Sequence, residues 1–67
     1  MLKDIYEITN CDATVKIRIF HFKDGILNPT HEDVILNRDN IDHYNEIFAV
    51  DCLVPQKNEL LIEGTID

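Results

Sequence analysis

His21, His31, His43, Cys11 and Cys52 are the side chains best suited to bind a transition metal or to act as nucleophile and base. No pair of them stands at the C-x₂-C or H-x₃-H separation that closes a zinc site. Asp39, His43 and Glu46 lie four and three positions apart, so a helix would bring them to one side, where they could hold a divalent ion. A solvated helix face has the same spacing, and that plainer reading is adopted. The segment Arg38-Asp39-Asn40-Ile41-Asp42 alternates acids as a calcium loop does. It lacks the sixth-position glycine and the twelfth-position glutamate that such a loop needs. No metal ligand and no cofactor is assigned.

Covalent catalysis is equally poorly served. A nucleophile needs a base beside it, and serine is absent. Cys52 falls in the apolar run EIFAVDCLV, where burial would raise the thiol pKa and suppress its reactivity. Cys11 sits in a turn with no histidine close in sequence. The two glycines stand 39 positions apart, so no glycine-rich loop can cradle a phosphate. A chain this short also has little volume for a pocket. The expectation is a protein that is not an enzyme.

Charge is the remaining chemical feature. The chain has 13 acids against six Lys and Arg, a formal net charge of −7. Residues 1–23 are close to neutral, and the excess falls in residues 24–67. Such a field repels nucleic acid and draws in basic partners. Glu32, Asp33, Asp39, Asp42 and Glu46 crowd into 15 residues opposed only by Arg38. These five are the candidate partner-binding residues. Lys16 and Arg18, followed by Phe20 and Phe22, have the basic–aromatic pattern of single-strand-binding sheets. Two cations cannot supply the basic footprint that such binding requires. They are expected to pair with carboxylates on a neighbouring strand.

The elements that must position these residues read mostly as strands. Ala13 to Phe22 alternates Val15, Ile17 and Ile19 with Thr14, Lys16 and Arg18, the period of a half-buried strand. At Phe20 and Phe22 apolar residues move to the charged face, which calls for cover on both sides or a bulge. Asp24-Gly25 is a hairpin signal. Ile26-Leu27 pairs back until Asn28-Pro29 interrupts the ladder. Lys3 to Thr9 reads as a short β-prone segment, with a turn at Asn10-Cys11-Asp12. The middle has two readings. In one, Thr30 caps a helix near residues 31–48 on which Val34, Ile41, Tyr44 and Phe48 share a face. In the other, Asp33 to Leu36 is a strand and residues 37–45 form a loop with one helical turn. Glu46 to Val54 then reads as a central strand covered on both faces. Pro55 to Asn58 turns the chain into a last strand, Glu59 to Glu63.

The fold expected is therefore mostly β: about five short strands in a small twisted sheet or partly open barrel. The alternative is α+β with one helix near residues 31–48. Residues 1–67 make one domain, near the lower limit for an independent core. Forty-five per cent of the chain is apolar, which favours folding over disorder. The N-terminal segment has acids where a secretory leader is apolar, and no apolar run approaches a membrane span. A cytoplasmic protein with reduced thiols is expected. The many isoleucines and asparagines suit an AT-rich genome, such as that of a low-GC bacterium, its phages or its mobile elements. The functional expectation is a small acidic interaction module that occludes a basic, nucleic-acid-binding surface on another protein. The alternative is a self-associating structural protein, a homodimer across an exposed strand edge. Neither reading involves direct contact with nucleic acid or membrane.

Overall fold

A computed structural model describes residues 1–9 and 12–67. The turn expected at Asn10-Cys11-Asp12 lies outside them save for Asp12. The elements run α1 (Leu2–Ile8), β1 (Thr14–Lys23), β2 (Ile26–Ile35), α2 (Ile41–Ile47), β3 (Ala49–Gln56) and β4 (Glu59–Ile66). The four strands form one open sheet in the order β2-β1-β4-β3. Two antiparallel hairpins, β1–β2 and β3–β4, meet where β1 and β4 pair in parallel. The mostly-β expectation holds, with four strands instead of about five, in an open sheet and not the partly open barrel that is its other form.

The missing strand is α1. Lys3 to Thr9 reads as β-prone, but Leu2, Ile5 and Tyr6 lie three and four apart and form a helical stripe. Leu2 is buried, and Ile5 and Tyr6 pack against the core. A seven-residue helix is marginal in water, so packing and a borrowed cap must hold it. Asn45 supplies the cap from α2: its side-chain oxygen accepts the Lys3 amide at 2.9 Å. At the other end Thr9 leaves helical geometry while its hydroxyl donates to the Ile5 carbonyl at 2.7 Å.

The β1–β2 hairpin turns at Asp24-Gly25, both left-handed with φ of 56° and 76°. Those angles match a two-residue turn whose twist suits the strands. The ladder is interrupted after Leu27, as expected at Asn28-Pro29, but pairing resumes at His31 and β2 runs on to Ile35. The register slips between Phe20 and Phe22, and the additional residues sit in β2. Asn28 stabilises this irregularity by accepting from the Thr30 amide at 3.0 Å and its hydroxyl at 2.8 Å. Thr30 to Asp33 is thus strand and not a helix start. The helix comes later, because Asn37 and Asn40 tie the preceding turn. Asn37 accepts from the amides of Asp39 and Asn40, and Asn40 accepts from the Asn37 amide.

The stretch Glu46 to Val54 is not a central strand. Its first two residues complete α2, and β3 is an edge strand with exposed Leu53 and Cys52. Pro55 belongs to β3, where an edge position tolerates its missing donor. The turn is Lys57-Asn58, with Asn58 left-handed. The doubly apolar central strand is β4, and it runs on past Glu63 to Ile66.

Both helices lie on the sheet face that carries Val15, Ile17, Ile19 and Ile62. Leu2, Leu36, Ile41 and Phe48 complete that core, and Ile17, Ile19 and Ile62 are wholly inaccessible. Gly64 lets α2 close on the sheet. A Cβ there would run into the Ala49 carbonyl and the Phe48 ring. The opposite face has no covering layer. Expected outcomes follow for urea denaturation. Ile17→Ala should lose about 2–5 kcal/mol, and Gly64→Ala about 3 kcal/mol or more because backbone must move. Ile8→Ala, at a site 84% exposed, should stay within about 0.5 kcal/mol of the parent.

Candidate functional site

The five candidate acids do not form one surface. Glu32 and Asp33 are successive residues of β2 and so point to opposite sheet faces. Glu32 reaches His21 at 3.2 Å, and Asp33 reaches Arg18 at 3.2 Å on the uncovered side. Asp39 stands in the turn before α2, with Asp42 and Glu46 on the helix itself. Asp42 and Glu46, at i and i+4, share one side of α2. All three acids are exposed.

The structure adds acids that sequence separation hides. Lys3 of α1 pairs with Asp42 of α2 at 2.8 Å. The hydrogen bond to Asp42 and its charge raise the Lys3 pKa, and Glu7 and Asp4 add to the effect. Four residues from two helices thus share one electrostatic neighbourhood. With Asp39 and Glu46, the helical layer carries five carboxylates against Lys3 and Arg38. The signal was present as Asp4 and Glu7, but nothing local shows that α1 lies beside α2.

On the uncovered face, both cations of β1 are engaged by acids of neighbouring strands. Lys16 approaches Glu59 at 3.4 Å, and Arg18 approaches Asp33 and, at 3.9 Å, Glu63. The expected cross-strand pairing of Lys16 and Arg18 is found, with β4 and β2 supplying the acids. His31 stands 3.8 Å from Asp33, its ring 5.5 Å from that of Phe20. The Cys52 thiol donates to Glu63 at 3.2 Å. A polar row therefore crosses all four strands: Asp33 on β2, Arg18 on β1, Glu63 on β4 and Cys52 on β3. Arg18 holds the Asp33 carboxyl below its usual range. That pair contributes stability above the ordinary carboxylate pKa and loses it as pH falls through the lowered value. The contribution is small, because the pair is open to solvent.

Cys52 is free and exposed, not buried as its apolar neighbours implied. Its pKa is raised, first by the hydrogen bond to Glu63, then by partial desolvation and by the charges of Glu63 and Asp51. The direction expected from sequence holds, but its main cause is a carboxylate. Cys11 lies outside the described residues. Asp39, His43 and Glu46 do not converge, and no group of three metal-binding side chains occurs among the described residues. An open cleft of about 510 Å³ runs between the end of α1 and the start of β1. Glu7 and Arg38 stand on its walls above Val15 and Leu36. Among the described residues its lining includes no histidine or cysteine.

Comparison with family models, with curated proteins and with solved structures finds no match to this chain. Among the described residues no helix is long and apolar enough to cross a membrane.

The Glu63–Cys52 contact yields a measurable outcome. In a Cys11→Ala background, Glu63→Gln should lower the Cys52 pKa and raise its alkylation rate by iodoacetamide near neutral pH. A pH–rate profile that does not move would show that Glu63 does not govern the thiol.

Proposed function

We propose that this chain is a small acidic protein-interaction module without catalysis, acting in the cytoplasm, that occludes a basic, nucleic-acid-binding surface on a partner protein. One observation carries the reading: the excess of carboxylates over cations on the two helices and the turn before α2. The cations of β1 are engaged by acids of the sheet. The helical layer carries five carboxylates, Asp4, Glu7, Asp39, Asp42 and Glu46, against Lys3 and Arg38. Complementary charge of this kind steers association and fixes register more than it adds affinity. The mechanism is competition, in which carboxylates cover the cations that otherwise hold phosphates. The exposed free thiol of Cys52 is in keeping with a reducing compartment.

The rival reading, a homodimer across a strand edge, has less behind it. Each edge strand contains a proline, Pro29 in β2 and Pro55 in β3, and each outer pairing has a register shift. Prolines and bulges are how sheets discourage edge-to-edge pairing.

The test begins with the protein recovered by affinity capture from the native host. Asp39→Asn, Asp42→Asn and Glu46→Gln together keep shape and remove three charges. The triple variant should fold normally and associate about tenfold more slowly, with a weaker salt dependence. The parent should displace nucleic acid from that protein, and the triple variant should do so poorly. Unchanged association kinetics would overturn the reading and leave the acids a role in solubility alone.

A further inference from the structure

We propose that the uncovered sheet face docks a second copy of this chain, face to face about a two-fold axis that runs along the strands between β1 and β4. The inference uses the side of the molecule opposite the acidic helical layer and stands independently of the interaction reading above.

Strand register sets complementary side chains at matching heights. Asp33 is opposite Arg18, Arg18 is opposite Glu63, and Glu63 is opposite Cys52, which makes one row across the sheet. The next row on the same face is Ile35, Lys16, Leu61 and Val54. A two-fold axis along the strands keeps each row at its own level and reverses its order. Arg18 then faces Glu63 of the second copy, and its Glu63 faces the second copy's Arg18. In the other row Ile35 meets Val54. At the centre of the face unlike charges meet, and at the edges of the first row Asp33 meets the Cys52 thiol. The parallel β1–β4 pairing produces this match, because it sets a cationic column beside an anionic one at equal height. Packed sheets are offset by about 30°, so the match is best at the centre.

Three further observations point the same way. Within one chain Arg18 engages Asp33 through Nε at 3.2 Å, while its ion pair with Glu63 through Nη1 is long, at 3.9 Å. Ile35 is 59% exposed although it belongs to a strand flanking the core. The size is also adequate. Four strands about 4.8 Å apart and eight residues of about 3.3 Å each span roughly 500 Å². Two such faces bury about 1,000 Å², the lower bound for a specific interface. The net charge of −7 per chain does not forbid the pairing. The helices end up on the outside of the dimer, separated by three layer spacings of about 10 Å each, well beyond a Debye length of about 8 Å.

Sedimentation velocity of the full chain over a concentration series tests this. The parent should show a monomer–dimer equilibrium. Arg18→Glu places like charges opposite each other in its own dimer, and so does Glu63→Arg. Each variant alone should self-associate at least about tenfold more weakly. An equimolar mixture of the two brings unlike charges together again and should recover a one-to-one dimer, which no effect on the fold of either chain would produce. Ile35→Lys should be monomeric with an unchanged circular dichroism spectrum, and it decides the matter if a charge-reversal variant fails to fold. A parent that is monomeric at every concentration overturns the proposal and leaves the face for a different chain. Undiminished dimers of Ile35→Lys would overturn it too, by placing self-association elsewhere.

Discussion

The parallel pairing of β1 with β4 is the constraint on which the molecule depends. It joins two hairpins that have no other sheet contact with each other. At its centre Ile17 sits opposite Ile62, and both are fully inaccessible. Parallel strands close only through a long connection, here β2, α2 and β3, so the pair forms late in loop-closure terms. What compensates is burial. The two central strands present their apolar residues to one layer of helices, and most of the core gathers there.

Placing both helices on one face has two consequences. Short helices survive because each leans on the other: Asn45 of α2 caps α1, and Lys3 of α1 pairs with Asp42 of α2. The sheet's second face is then left to side chains. Lys16 and Arg18 with their acids form a layer over Leu61, which is 4% exposed although no helix covers it. The stems of long charged residues can shield apolar surface in this way. The molecule therefore has two chemically different sides, one with surplus negative charge and one whose charges largely answer each other.

Gly64 and Phe48 show how close the two layers come. Phe48 ends α2, accepts extended geometry and sets its ring where a side chain of β4 would otherwise stand. A glycine near the end of a strand reads as a weak point, and here it marks the closest approach of two layers.

Local pattern determined several features of this protein. Alternation placed β1, because a strand half in water must repeat every second residue. Asp24-Gly25 set the first hairpin, because few dipeptides adopt two left-handed conformations. The pairing of Lys16 and Arg18 with neighbouring acids followed from their shared face. Only tertiary structure decided the rest. Leu2, Ile5 and Tyr6 become a helical stripe once a core lies beneath them and Asn45 caps the first turn. The same residues Val34, Ile41, Tyr44 and Phe48 pack together as the helical reading expected, yet they come from a strand, a helix and its end, since burial rewards proximity and not a particular period. The apolar run around Cys52 and the one at Leu60 to Ile62 look alike in sequence. Strand order made the first an edge and the second the centre. Glu32 and Asp33 are neighbours in the chain, and the pleat sends them to opposite sides. Asp4 and Asp42 are 38 positions apart, and the packing of α1 on α2 brings them around one lysine. Surfaces are made by contacts distant in sequence, and those contacts are settled only when the core closes.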